Sequence, residues 1–272
     1  MWLGKHCRTS FRWADGVGRI LDIKLQRFSG KDFVTEPAAH INAIDLLSPG
    51  WVSRIPGYQN GSAVLFFKEK DLRPNIVAEQ FGDITGWRVL DLGCLEGGHS
   101  YQLEQLGADV LGIEANPHIF LRALVAKNIL KSRATFLLGD FVEYLGDSDE
   151  SFDLIFASGV LYHMEDPVEL LYRISRKSDR LFLWTHYVPE KSVRKWTKGS
   201  DYEGHGFRCR YFRYDYPERP SRAYGGTAPF CNRITQGAMT KALETFGYKN
   251  IRIVADNVDH PGGPAISMVA WR

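Results

Sequence analysis

The sequence predicts a doubly wound α/β fold: seven strands in a mainly parallel sheet, closed by an antiparallel hairpin. Three observations carry that expectation. From residue 87 onward, short β-rich runs alternate with amphipathic helical stretches, the pattern of successive βαβ units. The run FDLIFASG (152–159) is almost continuously apolar, as in a central parallel strand buried on both faces. The last two strand-like runs are joined only by HPGGP (260–264), too short for a parallel crossover, which takes about a dozen residues.

Taken in order, residues 1–50 read as an N-terminal extension and 51–272 as the main domain. Asn60-Gly61 between WVSRIPGY and SAVLFF predicts a hairpin, and Pro74 to Phe81 a helix ahead of the first core strand. WRVLDLG (87–93) is a strand ending in a glycine turn, Gly98 to Leu106 a helix, and ADVLGIEA (108–115) the second strand. Asn116 as N-cap and Pro117 at the first helical position start a helix running to about Leu130, followed by strand ATFLLGD (134–140). After the fourth strand, Asp166-Pro167-Val168-Glu169 forms a near capping box for a helix to about Lys177. RLFLWTH (180–186) is the fifth strand. Residues 187–234 show no sustained period and read as an insertion covering a substrate. Thr235 then caps a helix from Gln236 to Phe246, and the closing hairpin follows.

Composition excludes several classes. Cys7, Cys94, Cys209 and Cys231 are scattered without a CxxC pair, which argues against a disulfide framework or a zinc site, and no other cluster has metal-ligand spacing. The N-terminal stretch carries Lys5, Arg8 and Arg12 and builds no apolar segment, and no apolar run approaches a membrane span. A cytoplasmic protein without membrane partners is expected. The net charge of +2 is too small to mark the whole chain as a nucleic-acid binder.

The chemistry is concentrated in Asp91-Leu92-Gly93-Cys94-Leu95-Glu96-Gly97-Gly98. Glycines after a strand let the backbone approach a ligand, and the next helix offers free N–H groups. Glu114, ending the second strand, can accept hydrogen bonds from both hydroxyls of a ribose, and Asp140, ending the third, can accept one from an adenine amino group. Three acids in three successive βα units, at the carboxyl edge of the sheet, describe one nucleoside pocket; singly, each would more simply cap a helix. A dinucleotide fingerprint would be G-x-G-x-x-G. The spacing here is Gly93-x-x-x-Gly97-Gly98 with Asp91 ahead, and that acid suits a ligand bearing an ammonium group rather than a pyrophosphate.

VLDLGCLEGG, GIEAN, GDF and FDLIFASGVLYHMEDP, in this order and spacing, resemble the class I S-adenosylmethionine-dependent methyltransferases. The resemblance covers about residues 75–185 and implies a Rossmann-like fold with S-adenosylmethionine as cofactor. It implies that Asp91, Gly93, Cys94 and Gly97 shape the methionine end, that Glu114 binds the ribose, that Asp140 and Phe141 border the adenine, and that Ser158 lines the same pocket. Leu95 departs from the pattern, standing where the family commonly has a glycine. WVSRIPGYQNG, GVLYHMEDPVELL and LFLWTHY are similar to the subgroup that includes the tRNA wobble-uridine carboxymethyltransferases.

Methyl transfer needs an acceptor held in line and, where necessary, deprotonated. His163 is the preferred general base, an imidazole titrating near neutrality; the opposing reading is that it only walls the cofactor pocket. His99 and His186 are weaker alternatives. Tyr162 is assigned to the acceptor. Between His186 and Arg233 stand ten Lys/Arg against five Asp/Glu, and Arg208, Arg210 and Tyr211 lie in an arginine–aromatic strip. That strip reads either as an anion-binding and stacking surface or as a half-buried strand with its arginines in water. The preferred function is methylation of an oxygen or nitrogen on a small-molecule, sugar or glycan acceptor, with an anionic acceptor favoured. A tRNA- or RNA-modifying methyl- or carboxymethyltransferase is the alternative, and a non-catalytic binding module with this fold, suggested by Leu95, the third reading.

Overall fold

The computed structural model describes residues 33–60, 67, 71–216 and 225–272. The second half of the expected hairpin at Asn60-Gly61 and most of the N-terminal extension lie outside the described residues. Contacts divide the chain into two units, one up to Ser48 and one from Pro49. In the first, α1 (His40–Leu46) is a short helix that sequence reading missed; no side chain caps its start, although Asn42 Nδ2 donates to Pro37 O at 2.9 Å.

The second unit opens with α2 (Arg73–Phe81), followed by β1 (Arg88–Leu92), α3 (Gly98–Gln105), β2 (Asp109–Glu114) and α4 (Pro117–Leu130). Next come β3 (Thr135–Leu138), α5 (Phe141–Asp147), β4 (Leu154–Ser158), α6 (Pro167–Lys177) and β5 (Arg180–His186). After β6 (Gly199–Gly204), β7 (Phe207–Asp215) and β8 (Phe230–Arg233), α7 (Gln236–Thr245), β9 (Asn250–Asn257) and β10 (Ala265–Trp271) close the chain. The seven-stranded sheet runs β3-β2-β1-β4-β5-β10-β9. Its first five strands are parallel, and β10 runs antiparallel between β5 and β9.

Each sheet face is covered, which is why the inner strands read as unbroken apolar runs. On one face Leu90, Leu92, Ile155 and Leu183 pack against Leu145 of α5, Leu170, Leu171 and Ile174 of α6, and Met239 and Leu243 of α7. On the other, Val89, Leu154, Phe156 and Phe182 meet Val77 of α2 and Leu103 of α3, with Phe156 and Phe182 stacked at 4.6 Å. The caps behave as their residue types dictate: Asn116 accepts from His118 and Ile119 N–H, Asp166 from Glu169 N–H at 2.8 Å, and Thr235 from Ala238 N–H at 3.2 Å.

The insertion is more regular than the sequence suggested. β6, β7 and β8 form a separate antiparallel sheet, preceded by a 3₁₀ turn at Glu190–Lys195. Only β7 alternates, and only over its first five residues: Phe207 and Tyr211 are buried and Arg208 and Arg210 exposed, whereas buried Phe212 and exposed Arg213 break the period. β6 is a mostly exposed edge strand and β8 has four residues, so neither carries a periodic signal. The sheet is pinned to the loop after β4, since Asn232 N–H donates to Met164 O at 2.8 Å and Asn232 Nδ2 to Glu165 O at 2.7 Å. Tyr211 Oη donates to Asp166 Oδ1 at 2.5 Å.

Candidate active site

The parallel order places the ends of β1, β2 and β4 side by side, with the loop after β3 beside them, and a cleft of about 1620 Å³ opens along this edge. Its floor is the turn after β1. Gly93 at φ +61° lies so close to the next strand's loop that a Cβ there would come within 2.6 Å of Val160 Cγ1, so only glycine fits. Leu95 adopts φ +51°, the left-handed conformation a glycine would take, so the turn survives the substitution. Its N–H donates to Glu114 Oε2 at 3.0 Å, while Asn116 N–H donates to Oε1 at 2.8 Å.

Glu114 therefore faces the cleft with two of roughly four acceptor positions taken and the rest available to hydroxyl donors; burial raises its pKa. Asp140 lines the cleft with Phe141 and caps α5, accepting from Val142 N–H at 2.7 Å through Oδ1. The capping and ligand-facing readings of this acid are thus compatible. Gly93, Cys94 and Ser158 also line the cleft.

Asp91 and Gly97 do not line it. Asp91 is buried beneath the turn, where Ser100 Oγ donates to it at 2.6 Å and burial pushes its pKa up to about 7. It supports the loop from below. Gly97, at φ +79°, packs on the ring of Phe136. Glu96, pushed up to about 7 by burial, accepts from Val52 N–H at 2.7 Å and Ser53 N–H at 2.6 Å, tying residues 52–53 to the cleft wall.

Two further lining residues escaped sequence reading, Asp71 and Arg73; His99, read as a weaker alternative base, lines the cleft with them. Arg73 Nε and Nη2 grip the Asp71 carboxylate, Nη1 donates to Ser158 Oγ at 3.0 Å, and the guanidinium lies 4.9 Å over Trp184. Burial opposes ionisation of Asp71, yet the bonds from His99 and Arg73 outweigh it and hold the carboxyl well below its usual range. Burial depresses the pKa of His99, whose Nε2 bonds Asp71 Oδ2 at 2.8 Å and so joins that network. Nothing local in the sequence joins residues 71, 73, 99 and 158.

Beyond Trp184, on which Arg73 lies, the cleft is also lined by Tyr162, His163, Tyr216, Gly226 and His260. His163 Nδ1 bonds Tyr216 Oη at 2.6 Å, and its ring lies 4.1 Å from that of Tyr162. Burial, then the nearby Arg233 and His186, lower its pKa to about 4, so it is a neutral imidazole at physiological pH. His186 is nearby but outside the lining, with Nδ1 donating to Gly263 O at 2.9 Å. His260, in the turn read only as a hairpin signal, does reach the cleft.

The expected substrate residues Arg208, Arg210 and Tyr211 are not among those lining the cleft. Arg208 pairs with Glu203, and Arg210 with Asp201 at 3.2 Å, both directly across from their partners in the β6–β7 register. Tyr211 points inward to Asp166. Alternation along β7 sends the arginines to solvent and the rings to the core, the second of the two readings of this strip. Among the described residues, no group of three His, Cys, Asp or Glu side chains could hold a metal ion, and no helix is long and apolar enough to cross a membrane.

Sheet order and the glycine turn together define a doubly wound, Rossmann-like fold of the methyltransferase type. Residues 85–204 match a family model described as a methyltransferase domain. Among curated proteins it is similar to the tRNA U34 carboxymethyltransferase of Campylobacter hominis, 36% identical over 113 residues, covering 40% of this chain and 39% of that one. It is also similar to that of Colwellia psychrerythraea, 33% identical over 105 residues, covering 38% and 32%. The chain thus spans only about a third to two fifths of the length of these relatives. Among solved structures, the N-terminal domain of EvdMO1 with SAH bound has a TM-score of 0.65 at 20% identity, covering 85% of this chain and 94% of that one. The same domain with SAH and D-fucose gives 0.64. These structures share the fold.

Proposed function

We propose that the chain transfers a methyl group from S-adenosylmethionine to an oxygen or nitrogen of a small-molecule, sugar or glycan acceptor. One observation carries this reading: a single cleft joins a nucleoside pocket, at Glu114 and Asp140, to a chamber of aromatic and imidazole side chains around His163. The available acceptor positions of Glu114 suit two ribose hydroxyls, Asp140 and Phe141 suit an adenine edge, and the turn at Gly93 lines the cleft where the sulfur-bearing chain would lie. Bound there, the cofactor supplies an electrophilic methyl on a sulfonium. Tyr162 and Trp184 wall the acceptor and exclude water. His163, neutral and oriented by Tyr216, takes the proton that the acceptor hydroxyl or amine loses as its bond to the methyl forms.

The test is a pair of measurements. S-adenosylmethionine and its demethylated product should raise the melting temperature, whereas NAD and NADH should not, because only a ligand of the native state stabilises it. Stabilisation by the nicotinamide cofactors instead would overturn the reading. Production of S-adenosylhomocysteine against a panel of sugars, sugar acids and phenols then identifies the acceptor.

Modification of tRNA is the second reading, favoured by the names of the curated relatives. Against it stands the neutralisation of the basic strip: Lys198, Arg208, Arg210 and Arg213 all pair with Asp201, Glu203 or Asp215. A surface built for phosphates would present unpaired cations. Tight, steeply salt-dependent binding of tRNA at low ionic strength would reverse the preference.

A further inference from the structure

The arginines of β7 are spent on their own cross-strand acids, but Arg233, at the end of β8, is not. Its Nε is buried without a hydrogen-bond partner, and the guanidinium forms no ion pair among the described residues. Leaving a buried cationic donor unmet is costly, and such a group calls for a functional explanation. What holds the guanidinium is aromatic: it lies 4.9 Å from the ring centre of Tyr214 and 5.8 Å from that of Trp196.

Arg233 is not among the residues lining the cleft, but its surroundings place this cation directly behind the wall of the acceptor chamber. Its neighbour Asn232 fastens β8 to Met164 and Glu165, directly after His163. On another side lies the turn after β9, where two glycines withhold side chains. A Cβ on Gly263 would be 3.6 Å from Arg233 Nη1, and one on Gly262 would be 3.0 Å from His186 Nε2. His260 of that turn lines the cleft. The charge is felt by both neighbouring imidazoles, since Arg233 depresses His163 and His186 alike, after burial.

We propose that Arg233 is the anion-recognising residue of the acceptor site, so that the acceptor carries a carboxylate or phosphate that pairs with this guanidinium while its hydroxyl or amine stands beside His163. The inference rests on the methyl-transfer reading and narrows its substrate class. Guanidinium is the side chain suited to both anions, because its planar fork offers parallel N–H donors that an ammonium cannot. The acidic groups of the adjoining loop do not supply the counter-charge, for Asp166 is held by Tyr211 Oη and Glu169 N–H.

The experiment uses the whole chain saturated with S-adenosylhomocysteine and follows the imidazole resonances of His163 and His186 by NMR during titration with inorganic phosphate and, separately, acetate. Anion pairing with Arg233 removes the charge that depresses both rings, so their titration midpoints should rise saturably with phosphate, acetate or both. A response to phosphate alone assigns a phosphate ester, and one to acetate alone a carboxylic acid. In Arg233→Gln both midpoints should already be raised and should no longer respond. Arg233→Lys should respond with at least about tenfold weaker affinity, having the charge but not the fork. No saturable response to either anion, or the same response in Arg233→Gln, overturns the proposal. Binding of S-adenosylhomocysteine is measured in every sample: its retention shows that the variants fold, and its absence in the parent protein would instead refute the methyl-transfer reading.

Discussion

The backbone N–H of Leu95 donates to Glu114 Oε2 at 3.0 Å, and it does so from a left-handed residue, φ +51°, where glycine would be unstrained. The glycine turn and the cleft-facing acid are therefore one unit. Left-handed backbone costs a non-glycine residue about 1–2 kcal/mol, whereas glycine costs roughly 0.5–1 kcal/mol in conformational entropy. Leu95→Gly should accordingly leave stability within about 1 kcal/mol of the parent, and Leu95→Val, β-branched and worse suited to positive φ, should lose at least about 1 kcal/mol. Urea denaturation of the two variants decides this; equal losses would show that side-chain packing rather than backbone strain governs the position.

Glu114→Ala removes both an anchor of the turn and the acceptor for ribose hydroxyls. Hydrogen bonds to a charged group contribute about 1.5–3 kcal/mol each, so affinity for S-adenosylhomocysteine should fall about tenfold to a hundredfold or more by calorimetry. Unchanged affinity would place the ribose elsewhere. Asp140→Asn should have a smaller effect, because its Oδ1 can still cap Val142 N–H.

Glu96 gives a pH signature. Its carboxyl is raised from the ordinary value to about 7 by burial. The folded state therefore binds a proton more tightly than the unfolded state, and the stability so gained is present below the unfolded pKa and lost as pH rises to about 7. Glu96→Gln abolishes that titration while losing one acceptor for the Val52 and Ser53 N–H groups. The melting temperature of the parent relative to this variant should decline between about pH 4.5 and 7 and level off above. A difference independent of pH would mean that Glu96 is ionised throughout.

What the sequence disclosed and what it withheld follow from the range of the interactions involved. Asn116, Asp166 and Thr235 act on N–H groups two or three residues away, so each helix start was legible, as were strands such as 152–159 that satisfy their apolar faces wherever they pair. α5 escaped because it has only seven residues, and β6 because an exposed edge strand needs no apolar period. In the cleft, Glu114 and Asp140 were legible by their place at strand ends. Ser158 was legible through the resemblance, but Asp71 and Arg73 were not, since the network joining residue 73 to residue 158 exists only once α2 lies across the sheet edge. The charge count between His186 and Arg233 indicated an anionic acceptor through Arg208 and Arg210. The register of β6 against β7 pairs those two with Glu203 and Asp201, whereas Arg233, which no count could distinguish from the other nine cations, has a buried Nε without a hydrogen-bond partner.

His163 separates proton transfer from mere walling. If it is the base, His163→Ala should lower kcat about 10²- to 10⁴-fold with the affinity for S-adenosylhomocysteine unchanged. A side chain that only walls the pocket should instead change affinity and leave kcat within a few-fold. Tyr216→Phe sharpens the distinction. It removes the hydroxyl bonded to His163 Nδ1 at 2.6 Å while keeping the ring, so the imidazole loses its orienting partner but not its packing. An orienting role predicts a fall in kcat of about tenfold with KM little changed; a packing role predicts no change. The pH profile is an independent readout. With its pKa lowered to about 4, His163 is neutral and able to accept a proton across the whole neutral range. The profile of kcat/KM, which reports the free enzyme, should therefore show no ascending limb near pH 6.5 and should fall only as pH approaches about 4. An acidic limb centred near 6.5 would mean that the group titrating is an unperturbed histidine, and His163 would not be the base.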